Sequence, residues 1–270
     1  MPQPRRLSLT MTLLALLLLA LVTVSLGTGS VQIPPGRVVT VLLGWGRDSG
    51  DTMATTIVRD IRLPRVLLAI LVGAALAQSG AVMQGFFRNP MADPYIIGVS
   101  AGAALGAALA VFLGLDFWFL GVHGMGLCAF AGALAVTGTV YAMSMRAGRL
   151  PVTLVLLTGV ALGSLASALT SFLIISSGQD LHQILFWLMG SLSSRRWDHV
   201  YMALPQIAAG LLLLQFFARD LNLILQGEEP AQHMGVDVER VKRILLVLAA
   251  LLAAAAVSVS GLIGFVGLMV

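Results

Sequence analysis

Between Arg59 and Gly106 the chain reads RDIRLPRVLLAILVGAALAQSGAVMQGFFRNPMADPYIIGVSAGAALG, and this alternation restricts the fold more than any other feature. Arg59, Arg62 and Arg65 lead straight into an apolar run, Val66 to Phe87. A short polar turn, RNPMADP, follows, and a second apolar run carries Gly98, Gly102 and Gly106. At about 1.5 Å per residue, the first run is long enough for a hydrocarbon core of about 30 Å. The pattern predicts a membrane hairpin of packed helices with an arginine cluster at one mouth. Such a combination points to transport more than to anchoring.

The rest of the chain is built the same way: 58% of its residues are hydrophobic, 10% are charged, and the mean hydropathy is +0.96. Soluble domains carry about a quarter charged residues, so a water-soluble enzyme is excluded. The single cysteine, Cys128, rules out an internal disulfide framework and a Cys-based zinc site. It reads as a small apolar filler in a helix. Residues 1–30 place Arg5 and Arg6 before Leu7 to Leu26, a run longer than a usual signal core. They read as a retained first span.

Hydrophobic runs predict seven spans, near 7–28, 64–86, 94–114, 119–144, 152–175, 199–218 and 243–268. Ile184 to Met189 is too short to cross and predicts a re-entrant or surface helix. With the N-terminus inside, Arg5, Arg6, Arg88, Arg146, Arg149, Arg219, Arg240, Lys242 and Arg243 fall on cytoplasmic segments. Arg37, Arg47, Arg59, Arg62, Arg65, Arg195 and Arg196 fall outside, so the positive-inside bias is only nine to seven. Outer arginines suit an acidic partner docking from outside or an anionic substrate gathered at a pore mouth. Asp48, Asp51, Asp60 and Asp198 could equally balance them at headgroup level.

No Asp, Glu, Lys or Arg stands in the middle of any span. Ion-coupled carriers usually need such a residue to couple flux to a gradient, although some bind sodium through backbone and hydroxyl oxygens. Energy for uphill transport is therefore expected from outside the bilayer, with a gradient-driven secondary carrier as the alternative. The segment from Arg219 to Arg243, RDLNLILQGEEPAQHMGVDVERVKR, holds every glutamate of the chain. Glu228 and Glu229 before Pro230 oppose a helix dipole, and Gly235 suits a C-cap. A short helix over residues 230–234, lying on the membrane face, is predicted as a lever for a soluble partner. In the other inner turn, Asn89-Pro90 stops one helix and Asp93 caps the helix opened by Pro94.

Gly98, Gly102 and Gly106 stand at i, i+4 and i+8; Gly73, Ala77 and Ala81 repeat the spacing, as do Gly159, Gly163 and Ser167. Such ridges let helices approach closely in lipid. Gly98-Val-Ser100-Ala-Gly102 also matches the G-x-S-x-G hydrolase pattern. The motif sits within an apolar helix rather than at a strand-to-helix elbow. His123, His182, His199 and His233 all fall at or beyond span edges, out of reach of the hydroxyl. No G-x-x-x-x-G-K-[ST] phosphate loop is present, so nucleotide binding is not expected here.

The segment IRLPRVLLAILVGAALAQSGAVMQGFFRNPMADPYIIGVSAGA resembles the signature of the FecCD-type permeases, the membrane subunits of ABC importers for iron–siderophore complexes, haem and vitamin B12. LTGVALGSLASALTSF, FWLMGSL, GEEPAQHMGVDV and GLIGFVGLMV extend the likeness over nearly all of the chain beyond the first span. The resemblance implies an all-α polytopic membrane protein with the type II ABC importer permease fold, forming one transmembrane domain over residues 1–270. It also implies a bacterial or archaeal inner membrane, a homodimer or a pseudo-twofold pair with the path at the subunit interface, two cytoplasmic ATPase subunits that carry the ATP, and an external substrate-binding protein. No cofactor, metal or nucleic acid is implied on this chain, and iron–siderophore is the expected substrate ahead of haem or B12.

By the same resemblance, Arg62 and Arg65 fall where such permeases meet acidic residues of the binding protein. Gly227, Glu228, Glu229, Pro230, Ala231, Gly235, Val236 and Asp237 fall on the helices that dock into the ATPase. Val152 and Thr153 fall on the gate, with Thr158, Ser164, Ser167 and Thr170 along the path. Family members have ten spans in a longer chain, and GLIGFVGLMV continues in them into Pro-His and further helices. The expectation is therefore seven spans of ten, with the chain truncated at its C-terminal end.

Overall fold

The computed structural model describes residues 4–44, 52–115, 117–119 and 122–269. The expectations placed on Arg47, Asp48 and Asp51 lie outside the described residues. Almost everything described is helix, and two compact units are resolved, with the division falling inside one helix after Ala69.

The first unit comprises residues 1–69 and 195–197. Its helices are α1 (Pro4–Gly27), α2 (Pro35–Leu42) and α3 (Thr52–Thr56), followed by a π-helical turn, Ile57–Arg62, that opens into α4 (Leu63–Phe87). Pro35 stands at the first position of α2, where the missing amide would be unbonded in any helix. Leu26, Ile33, Val38, Val41, Ala54 and Val58 form a buried apolar cluster under this turn. The π-turn lets one extra residue into the helix. It carries both Arg59 and Arg62.

The second unit holds the rest of α4 and a 3-10 turn, Pro94–Ile97, that leads into α5 (Val99–Phe112). A two-residue antiparallel ladder, Trp118–Phe119 with Val122–His123, precedes α6 (Gly124–Ser144) and α7 (Val152–Ser176). Then come α8 (Leu181–Leu188), α9 (Trp197–Phe216, with Pro205 inside it), α10 (Ala218–Gln226), α11 (Glu228–His233), α12 (Val238–Ser260) and α13 (Val266–Met269).

Among the described residues six helices are long and apolar enough to cross a membrane, not seven. The expected third span, 94–114, is the difference. Asp93 accepts a hydrogen bond from the Tyr95 amide at 2.8 Å and caps a 3-10 turn, and Gly98 then takes a left-handed φ of 87°. The α-helix begins only at Val99 and runs for 14 residues, about 21 Å at 1.5 Å per residue. The expected seventh span, 243–268, is also divided: α12 ends at Ser260 because Gly261 leaves the helix with φ 71°. The released backbone is not left bare. The Ser191 amide donates to the Ser260 carbonyl at 2.7 Å, and the Tyr95 hydroxyl donates to the Ile263 carbonyl at 2.8 Å. In lipid such carbonyls have to be satisfied from within the protein.

Helix α12 is the centre of the second unit. Its Leu245, Leu246, Ala249, Ala250 and the run from Leu252 to Ser260 are buried. The polar groups in the middle of α4 are satisfied by carbonyls on neighbouring helices. Ser79 donates to Ala249 at 2.8 Å, Gln78 to Leu211 at 3.3 Å and Gln84 to Gly267 at 3.2 Å. Helices α5 and α6 meet through glycine. A methyl placed on Gly102 would collide with the Gly132 carbonyl oxygen, and one on Gly106 with the Cys128 carbonyl oxygen. Gly159 brings α7 against the Ile96 carbonyl in the same way, whereas Gly73 faces no neighbour.

Candidate functional site

The segment that holds all three glutamates folds as a compact corner. Helix α10 ends at Gln226, Gly227 turns the chain with φ 147°, and α11 runs from Glu228 to His233. This starts two residues before the expected 230–234, since Pro230 needs no amide partner in the first turn. Gly235 reverses the chain at φ 87°, and Asp237 caps α12 by accepting from the Arg240 amide at 3.1 Å. Asp237 thus has a local structural task, and Ala231 is fully buried. Glu229, Pro230, Gln232, His233, Met234 and Gly235 are exposed, while Gly227 and Val236 are half-buried.

Glu228 does not share that outer face. Its Oε1 accepts from Lys242 Nζ at 2.7 Å, and Lys242 is 7% exposed. Glu239 Oε1 lies 3.8 Å from the same ammonium, and its Oε2 accepts from the Leu150 amide at 2.8 Å. Leu150 and Pro151 lead directly into α7. On the far side of Glu228, Arg88 stands 4.0 Å away and donates to the Ile224 carbonyl at 2.8 Å. A cavity of about 200 Å³ lies among these groups, walled by Phe86, Phe87, Val152, Leu221 and Leu245 as well as by Arg88, Glu228 and Lys242. A buried ammonium is costly unless it is paired and hydrogen-bonded. Lys242, the only lysine in the sequence, meets that need with two of the three glutamates.

Of the expected gate residues, Val152 lines this cavity and Thr153 is exposed at the start of α7. Ser164 and Ser167 are exposed on the same helix and Thr158 is half-buried. Thr170 is 5% exposed and donates to the Ala166 carbonyl at 2.8 Å, one turn back in its own helix.

Arg62 has its donors engaged within the fold. It is 9% exposed, and its two terminal nitrogens donate to the carbonyls of Leu26, at 2.7 Å, and Val31. It closes the open end of α1, and Gly29 lacks a side chain because the guanidinium occupies that space. Arg62 is therefore a strap rather than a free docking charge. Arg65, one turn on, is half-buried with a buried Nε that has no hydrogen-bond partner. Both line a groove of about 320 Å³ with Ser25, Thr28 and Ser30. Arg59 Nε donates to the Val41 carbonyl at 3.2 Å, and Trp197 Nε1 donates to the Arg59 carbonyl at 3.0 Å. In the loop before α9, burial draws the Arg195 guanidinium below its ordinary pKa. In the turn after α4, burial raises the Asp93 carboxyl, and the hydrogen bond from the Tyr95 amide partly offsets this.

A membrane chain with a short, outward-facing helix braced against a buried lysine invites comparison with transporter subunits. The model of the FecCD transport family matches residues 17–270. The chain belongs to the FecCD transport family. Over 217 residues this FecCD chain is 50% identical to the cobalamin import system permease protein BtuC of Halobacterium salinarum, covering 80% of the chain and 58% of that relative. It is 41% identical over 228 residues to the hemin transport system permease protein HmuU of Yersinia pestis, covering 84% of the chain and 68% of that protein. The Fe(3+)-citrate import system permease protein YfmE of Bacillus subtilis is 37% identical over 243 residues, with 90% and 70% covered. A solved inward-facing structure of a metal-chelate type ABC transporter matches with a TM-score of 0.77 at 32% identity, covering 95% of this chain and 77% of that one. The FecCD chain thus spans less than two thirds of the first of these relatives, and it has the all-helical permease fold of the type II importers.

The glutamate–lysine cluster was not singled out from the sequence. A signal was present, since one lysine stands among fifteen arginines at the mouth of an apolar helix, three residues after Glu239.

Proposed function

We propose that this FecCD chain is the permease subunit of an ATP-driven importer in the inner membrane, working as a pair with a second permease copy, two cytoplasmic ATPase subunits and an external binding protein. The observation that carries this reading is α11. It is a short helix with its outer face free and its inner face locked to α12 by the bond from Lys242 to Glu228. A soluble partner pushing on such a helix moves the structure behind it, whereas a loop that only connects spans needs no such brace. Chemistry and hydrolysis belong to the partner; this subunit supplies the path.

The substrate proposed is a bulky metal chelate. The relatives are named for cobalamin, hemin and Fe(3+)-citrate, and the iron–siderophore expectation falls in the same chemical class. Arg65 is the charge proposed to meet a carboxylate of the binding protein, with Arg62 holding the turn that presents it. Uptake of cyanocobalamin, hemin and a ferric siderophore into vesicles holding the assembled complex tests the class. ATP-dependent uptake of at least one is expected, and uptake of all three without ATP would favour the gradient-driven carrier.

The docking face is tested by Glu229→Lys, which changes an exposed charge and leaves the Lys242 pair intact. Affinity for the partner ATPase should fall about tenfold, equivalent to about 1.4 kcal/mol. Unchanged co-purification would remove α11 from the interface.

A further inference from the structure

We propose that Lys242 is a positioning residue that makes α11 and the start of α7 move as one body, and this rests on the permease reading above. Three observations converge on it. Lys242 Nζ is bonded to Glu228 on α11 at 2.7 Å. It lies 3.8 Å from Glu239, whose other carboxylate oxygen takes the Leu150 amide at 2.8 Å, two residues before α7 begins. The space beside it is an open cavity of about 200 Å³ bounded by Val152 of α7 and by Leu221 of α10. Lys242 ties α11 to α12, and Glu239, one turn back on α12, carries that tie to the α7 entry, so losing the lysine separates α11 from it.

The residue type fits the task. A lysine is a compact point charge on a flexible stem, so one ammonium can sit between two carboxylates that approach from different elements. The carboxylates are only partly covered, with side-chain exposures of 42% for Glu228 and 28% for Glu239, against 8% for the lysine. Removing the lysine leaves two groups that water can still reach, so the fold should survive. The connection between them should not. Arg88, 4.0 Å from Glu228, is the other charged group facing this corner, and its donor is engaged by the Ile224 carbonyl.

The test has two arms. Spin labels placed at Gln232 on α11 and Thr153 on α7, both exposed, report the separation of the two elements in the full chain in lipid nanodiscs, with no partner present. Lys242→Met should broaden a single narrow distance distribution about twofold. Should that variant fail to insert, Glu239→Ala breaks the same link from its other end and should broaden it equally. A distribution unchanged by the variant that inserts would overturn the proposal.

In the second arm the chain is assembled with its ATPase and binding protein. Lys242→Met should lower uptake about tenfold while hydrolysis stays within about twofold, since force is generated but not transmitted. Uptake and hydrolysis falling by the same factor would overturn the proposal and indicate a merely structural lysine. Failure of the unaltered chain to assemble with any ATPase would instead overturn the permease reading, and is distinguishable because the label arm needs no partner.

Discussion

Helices α7 and α12 are nearly equal as apolar sequences and very different as parts of the molecule. Their best windows have mean hydropathies of 2.1 and 2.3, yet 17% of the first is buried and 72% of the second. Both helices carry small residues, α7 at Gly159, Gly163, Ala166 and Ser167 among others, so the difference lies in which neighbours each one meets. Along its inner half α12 reads Ala249, Ala250, Leu251, Leu252 and then Ala253 to Ala256, and small residues let other helices approach closely. On α7, Leu157, Val160, Leu165, Phe172 and Ile175 project outward and are exposed. Hydropathy measures tolerance of an apolar surrounding and does not distinguish lipid from protein. Only the contacts made in the fold do.

This contrast can be broken most severely at the centre of α12. Ala253 is fully buried, and Ala253→Phe should destabilise the fold by about 1–3 kcal/mol, because overpacking forces neighbours off their rotamers. Loss of thermal stability in detergent, followed by the fluorescence of the four tryptophans, reads this out. A fully tolerated phenylalanine would mean that the helix is not the packed centre. Next in size is Ser79→Ala, which removes the hydrogen bond to the Ala249 carbonyl and should cost about 0.6 kcal/mol, as interhelical bonds in membranes do. The smallest effect is expected on α7, where Phe172→Ala should change the stability of the single chain by less than about 0.5 kcal/mol. If a second copy covers this face, the same variant should weaken dimerisation while leaving monomer stability unchanged, and crosslinking yield measures that separately.

The element boundaries show where a pattern is legible and where it is not. Length and hydropathy located the cores of the long helices, and Asn89-Pro90 and Asp93 marked the turn after α4, which stops at Phe87. The interruptions at Gly98 and Gly261 were not legible, because a glycine inside an apolar run looks the same whether it packs in a helix or takes a positive φ. Gly102 and Gly106 do the first and Gly98 does the second, four residues apart. The site divides similarly. The short helix after Gly227 was readable from Glu-Glu-Pro and Gly235. Which glutamate faces inward was not, nor that Arg62 and Thr170 use their donors on backbone carbonyls.

The sequence by itself determined that this protein is a multi-span membrane helix bundle, that no Asp, Glu, Lys or Arg lies in the middle of a span, and that all its glutamates are gathered in one segment. Those properties follow from transfer energies and local backbone rules, which act residue by residue. Only the tertiary structure decided that α12 is enclosed and α7 open, that Arg62 is a strap, and that Lys242 joins Glu228 and Glu239 beside the entry to α7. Each of these depends on which distant groups come within a few ångströms of one another, and pairing of that kind is set by packing.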